Sequence, residues 1–248
     1  MEFRKRIIPV LLVKGNSLVK TINFKNENYI GDPVNTVKIF NEKEVDELMV
    51  LDIGASRGEY KINFELVEEM ASEAFMPVSY GGAIKTVQEI KRVIRSGIEK
   101  VVINSSNYSN LDLIKDASEF FGSQAIIGGI DVYKNFFRKY SLAYESGRKK
   151  VKKDIMTHIS DLVKFGIGEL LVNSIERDGT MSGFDIDLLQ KISGQFNIPV
   201  IACGGAGSIA HLDEALSMGG ASAVAAGSLF VYYGRHKAVL INYPTAKE

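Results

Sequence analysis

The chain has 248 residues, room for one large α/β unit with a sizeable core, and its 46% hydrophobic and 24% charged content is that of a globular protein. Its 30 basic and 30 acidic side chains cancel, which excludes a global field drawing it to nucleic acid or an anionic membrane, so any anion must be held by a local site. The lone Cys203 excludes an internal disulfide and suits a reducing cytoplasm, and no apolar run approaches the ~20 residues of a membrane-spanning helix.

From the N-terminus, MEFRKR and the apolar run IIPVLLV (7–13) have the outline of a signal peptide. The run stops early at Lys14 and no small-residue cleavage site follows, so it reads as a buried strand. Similar runs recur as ELMVLDI (47–53), PVSYGG (77–82), KVVINS (100–105), QAIIGGIDV (124–132), ELLVNSI (169–175), PVIACGG (199–205) and AVAAGSLF (223–230). Each is apolar on both faces, as in a parallel sheet covered on both sides. Between them lie helical stripes: Phe64, Val67 and Met70; Val87, Ile90, Val93 and Ile94 before Gly97; Ile155, Ile159, Leu162 and Val163 before Gly166. A glycine just past the last periodic residue is a helix stop. After the fifth strand, KNFFRKYSLAYESGRKK (134–150) alternates aromatics around a Ser-Gly turn and predicts a β-hairpin insertion.

Eight strand–helix units predict a closed α/β barrel, the (β/α)₈ or TIM fold, in one domain over 1–248. Residues 47–83 can be laid on 169–206 with a single-residue gap, pairing Glu47 with Glu169 and Gly81-Gly82 with Gly204-Gly205. This predicts two half-barrels, about 1–122 and 123–248.

In such a barrel the C-terminal ends of the strands face the ligand. Four Gly/Ser-rich turns stand there: Gly81-Gly82-Ala83, Asn104-Ser105-Ser106, Gly204-Gly205-Ala206-Gly207 and Ala226-Gly227-Ser228. Glycine allows backbone amides to approach an anion, although any single turn reads as well as close strand–helix packing. Two symmetric pairs predict a ligand with a phosphate at each end, and Asp178, Gly179 and Thr180 extend the second pair. Asp131 ends strand five, inward by alternation, and is the candidate general acid or base. Asp52 ends strand two and reads equally as a helix cap. Cys203 has no histidine near it in this layout and reads as a small pocket residue, and His158, His211 and His236 do not suggest a metal site. At the opposite end Arg6, Glu47, Lys100 and Glu169 open strands. Taken alone they read as a solvated rim; two charges of each sign would also suit a closed ring of ion pairs.

KRIIPVLLVKGNSLVK, NFKNENYIGDPV, DELMVLDI, FELVEEMA, EKVVINSS, FGSQAIIGGID, GELLVNSIERDGTMSGFD and PVIACGGAG together resemble the cyclase subunit of imidazole glycerol phosphate synthase, the HisF-like family, over about residues 4–232. The resemblance implies a lyase of histidine biosynthesis that binds a doubly phosphorylated aminoimidazole precursor across both half-barrels. It needs no cofactor, and a HisH-like glutaminase docks at the barrel bottom and feeds ammonia through the barrel. It places the ammonia gate on Arg6, Glu47, Lys100 and Glu169, a glutaminase-facing acid on Glu99, a mobile first-loop lysine on Lys20, and one of two catalytic aspartates on Asp131. The other catalytic aspartate falls on Leu12, which cannot carry a proton. Ala83 and Cys203 also depart from the pattern, and the tail after Phe230 lacks the expected closing helix. These departures resemble a branch associated with lipopolysaccharide genes, in which barrel and glutaminase serve a separate ATP-dependent enzyme in glycosyl amidation. An authentic cyclase, and a barrel that only binds a phosphorylated metabolite, stay open beside it.

Overall fold

The computed structural model describes residues 5–244. Eight parallel strands close on themselves: β1 (Arg6–Lys14), β4 (Leu48–Asp52), β5 (Val78–Gly81), β6 (Lys100–Ile103), β7 (Ile126–Lys134), β10 (Glu169–Ser174), β11 (Val200–Cys203) and β12 (Ala223–Ala226), the last pairing back to β1. Both strand faces are buried, because helices cover the outside and inward side chains fill the lumen.

The covering helices begin where the sequence provides caps. Asp32, Asn63, Asp154, Asp185 and Ser208 accept backbone hydrogen bonds at the starts of α1 (Pro33–Glu42), α3 (Phe64–Ser72), α6 (Ile155–Phe165), α7 (Ile186–Gln195) and α8 (Ile209–Ser217). Thr86 and Glu89 form a capping box on α4 (Val87–Arg95). The helix α5 (Asp112–Phe121) has no such cap, and α6 stops at Gly166 in the left-handed region.

Two antiparallel hairpins rise from the mouth. One, β2 (Ser17–Ile22) with β3 (Lys25–Gly31), extends β1; the other, β8 (Tyr140–Tyr144) with β9 (Lys149–Val151), extends β7. They thus follow the first and fifth strands of the barrel circuit. The second was expected from the sequence and the first was not. The half-repeat itself runs without a gap: β4 ends at Asp52 and β10 at Ser174, β5 at Gly81 and β11 at Cys203, all at the 122-residue spacing of Glu47 and Glu169. Gly82 and Ala83, both at positive φ, therefore correspond to Gly204 and Gly205, and Ala83 holds φ 51° without a glycine's freedom.

Past α9 (Ser228–Val231) the described tail has no helix. It turns through a short pair, β13 (Tyr232–Tyr233) and β14 (Ala238–Val239), and the Tyr243 hydroxyl reaches the Ile7 carbonyl at 3.1 Å. Among the described residues no helix is long and apolar enough to cross a membrane.

Candidate functional site

Along the barrel axis the inward side chains stack in layers. At the N-terminal end Arg6 bonds Glu47 at 2.6 Å and Glu169 at 2.5 Å, while Lys100 bonds Glu169 at 2.8 Å and Glu47 at 3.1 Å. Charges alternate around a closed cycle, with Glu47 only 2% exposed. The solvated-rim alternative is thereby excluded: these are largely buried, mutually satisfied ions. Burial works against the Glu169 carboxylate, but the hydrogen bonds and charges of Arg6 and Lys100 outweigh it and hold its pKa below the usual range. Glu99, beside Lys100, is exposed on the same end of the barrel.

Above the ring lies a wholly apolar layer of Ile8, Met49, Ile127, Ile201 and Ala223, each fully buried. Val10, Val102, Leu171 and Ala225 form the floor of a cavity of about 350 Å³ that opens at the C-terminal mouth. Its walls contain Gly82, Ala83, Asn104, Ser105, Asp178, Gly179, Gly204, Gly205, Gly227 and Ser228, so both halves of the barrel bring their turns to one chamber. Thr180 is not among the lining residues; its hydroxyl donates to the Arg177 carbonyl at 2.7 Å and meets the Ser182 hydroxyl at 2.7 Å.

The helix N-termini around the chamber differ in whether they are capped. Thr86 and Ser208 fill the N-termini of α4 and α8 with their own hydroxyls. The short 3₁₀ turn Ser105–Tyr108 and α9 carry no side-chain cap, which leaves their first amides open toward the chamber. Asn107, buried beneath the first turn, donates to the Ile103 and Gly129 carbonyls at 3.0 and 2.9 Å and meets His158 Nε2 at 3.0 Å. His158 thus supports the turn from below and stands away from the chamber. Asp178 presents a carboxylate, which repels phosphate; what it offers is anchorage, since its Oδ2 accepts from Thr21 at 3.0 Å and ties the loop to the first hairpin.

Asp131 lines the chamber at 7% exposure and accepts from Asn104 Nδ2 at 2.9 Å. Burial pushes its pKa up to about 7, Asp178 adds to the rise and the Asn104 bond opposes it. A carboxyl that is half protonated near neutrality can both give and take a proton. Asn104 Oδ1 and Asn173 Oδ1 are buried in the same wall without partners among the described residues, two acceptors open to a ligand's donors. Asp52 lies outside the chamber. Its Oδ1 accepts from Ala55 N at 2.9 Å and Tyr60 at 2.8 Å, so its work is capping.

A model of the family described as histidine biosynthesis protein matches residues 6–237. The chain belongs to that family. A Pseudomonas aeruginosa protein provisionally named imidazole glycerol phosphate synthase subunit hisF2 is 48% identical over 241 residues, 97% of this chain and 96% of its own length. A Leptospira borgpetersenii protein, provisionally named as that synthase's subunit HisF, is 46% identical over 99% of this chain and 97% of its own. The Streptococcus sanguinis protein named imidazole glycerol phosphate synthase subunit HisF is 39% identical over 92% of this chain and 91% of its own.

Within this histidine biosynthesis protein fold, Leu12 enters the chamber beside Leu51, on the strand diametrically opposite Asp131 in the eight-strand circuit. One wall is therefore aliphatic and the other carries Asn104, Asp131 and Asn173. Burial raises the Cys203 thiol to about 12, so it is a neutral wall residue and not a nucleophile. Lys20, placed by family resemblance on a mobile loop, sits inside β2 at 4% exposure and donates to the Val10 carbonyl at 2.6 Å. Burial draws its pKa down to about 8 against the pull of Asp178. A Cβ at Gly227 would stand 1.9 Å from Lys20 Nζ, so the glycine is what admits the ammonium to the Ala226-Gly227-Ser228 turn.

Asn173 and Arg57 were missed as site residues. Alternation from Glu169 through Leu171 points Asn173 inward and could have found it. Arg57 belongs to a loop with no period to read.

Gly205 is predicted to be intolerant. Its φ is 115° and a Cβ would lie 2.0 Å from the Gly183 carbonyl. Gly205→Ala should cost roughly 2–4 kcal/mol in urea unfolding. A normal unfolding midpoint would show that the turn yields freely.

Proposed function

We propose that the protein is the barrel subunit of a glutamine amidotransferase complex, in which a glutaminase docks on the N-terminal face around Arg6, Glu47, Lys100, Glu169 and Glu99. Ammonia enters at the ion ring and moves along the barrel axis toward a phosphorylated acceptor held at the mouth. The acceptor is a sugar of a surface glycan and the outcome is glycosyl amidation, completed by a separate ATP-dependent enzyme. The relatives are named as subunits of imidazole glycerol phosphate synthase, which supports the reading of a barrel that works as one subunit of a complex. The closed ring and the two uncapped turns support the path and the phosphorylated acceptor.

The observation that carries the departure from imidazole chemistry is Leu12 in the chamber opposite Asp131. A leucine neither takes nor returns a proton, and loss of one positioned acid or base typically costs ~10²–10⁴-fold in rate. Purified protein supplied with the doubly phosphorylated aminoimidazole precursor and an ammonium salt is expected to turn over at least ~10²-fold more slowly than an ordinary cyclase. Leu12→Asp should restore little of that rate, since the rest of the wall is adapted to another acceptor. Ordinary turnover by the unaltered protein would overturn the reading.

The cyclase of histidine biosynthesis is the second reading, and one observation favours it: Asp131 is kept, buried, and titrates at about 7. Growth of a histidine auxotroph on this gene would establish it.

A further inference from the structure

Beside the mouth is a second cleft, between the two hairpins. The turn at Asn23 and Phe24 and the start of β3 form one side; the turns around Phe136 and Ser146-Gly147 form the other; Ile175 and Glu176, after β10, close the back. The hairpins meet where Phe24 lies against Gly147, whose Cβ would be 3.3 Å from the ring. Phe24, Arg57 and Ser146 line both the cleft and the chamber, so the two adjoin across these side chains.

Three features of the cleft bear on what it could hold. First, its lining carries five cationic side chains against two carboxylates, Glu27 and Glu176, and Lys25 and Lys150 have no carboxylate partner among the described residues. Second, Arg57 stands at the junction with only 9% of its side chain exposed and its Nε buried without a partner, although Nη1 bonds Glu27 and Nη2 the Phe24 carbonyl at 3.3 Å. Glu27 and the Phe24 carbonyl hold the guanidinium in place, so it puts a fixed positive charge where cleft and chamber adjoin. Third, Phe136 is 96% exposed at the rim, and Lys150 lies 5.2 Å over the Tyr133 ring. A nearly bare phenylalanine beside unpaired cations offers a flat apolar face next to positive charge.

We propose that this cleft receives a nucleoside diphosphate, with the base over Phe136 and the diphosphate against Lys25, Lys150 and Arg57, so that the acceptor entering the chamber is nucleotide-linked. The inference rests on the reading that the mouth takes a phosphorylated acceptor, and it names the class to which that acceptor belongs. Aromatic faces hold bases of any identity by stacking, and cations hold the diphosphate; together they recognise the nucleotide as a unit.

The test is calorimetric titration of the full chain with uridine diphosphate, adenosine diphosphate, inorganic pyrophosphate and inorganic phosphate. Both nucleotides are expected to bind about tenfold or more tightly than pyrophosphate. Phe136→Ala should remove that advantage while leaving pyrophosphate unchanged, and Lys25→Gln with Lys150→Gln should weaken nucleotides and pyrophosphate alike. Phe136 is on an exposed turn, and Lys25 and Lys150 are exposed on the outer strands of the two hairpins, so folding is not at stake. If phosphate and pyrophosphate bind but the base adds nothing, or if Phe136→Ala changes nothing, the cleft is not a nucleotide site and the amidotransferase reading stands. If neither phosphate nor pyrophosphate binds, the phosphorylated-acceptor reading itself falls, and this inference with it.

Discussion

Glu47→Ala is expected to destabilise the protein by about 3–5 kcal/mol, measured as a lower urea midpoint at unchanged m-value. Glu47 is 2% exposed and accepts from Arg6 and Lys100; its removal leaves two cations to share Glu169. The cost comes from stranding charge away from water, so it should exceed by far the 0–1 kcal/mol typical of a surface pair. Replacing all four ring members together by apolar residues of similar volume should, by contrast, be about neutral, because desolvation of the ions and their attraction nearly cancel. That pair of results would show that the ring is not there for stability, which leaves passage or docking as its purpose. A Glu47→Ala loss below about 1 kcal/mol would mean that water already reaches the ring. Glu169 has a depressed folded pKa, so its contribution is complete above the ordinary carboxylate range and is lost as pH falls through the folded value.

Asp131→Asn should move stability the other way. Asp131 has a folded pKa raised to about 7, so the folded protein binds more protons than the unfolded chain between the ordinary carboxylate range and neutrality. Stability therefore falls as pH rises across that window, and the penalty is complete above about 7. The amide removes the penalty and still accepts from Asn104. Thermal unfolding should show the variant roughly 2–4 kcal/mol more stable than the parent at pH 8 and no different near pH 4. The same substitution should lower any turnover in the chamber by ~10²–10⁴-fold. Greater stability together with lost activity is what a strained catalytic group predicts. Equal stability at both pH values would place Asp131 in contact with water and remove the electrostatic case for it.

The barrel was legible because its signals are local. Runs such as QAIIGGIDV are apolar on both faces, and the stripe Val87–Ile94 ends at a glycine; neither needs a neighbour to be read. The position of the Gly/Ser-rich turns around the chamber was legible for the same reason, since glycine and serine cluster where strands end. The first hairpin was not. In β3, KNENYIG, five of seven residues are exposed, and such a strand is specified by pairing with β2, not by any period of its own. Lys20 was misplaced in consequence: only the β1–β2 pairing carries it inward to the Val10 carbonyl.

Composition, hydrophobic rhythm and the position of glycines thus decided the closed barrel, its repeat and the end at which the chamber opens. They act within a few residues along the chain. Closure alone decided the rest. It brought Arg6, Glu47, Lys100 and Glu169, from four separate strands, into one cycle of ions, and set Leu12 across a chamber from Asp131. It also joined that chamber to a second cleft through Arg57. Electrostatics and burial depend on distances through space, and those exist only once the strands have met.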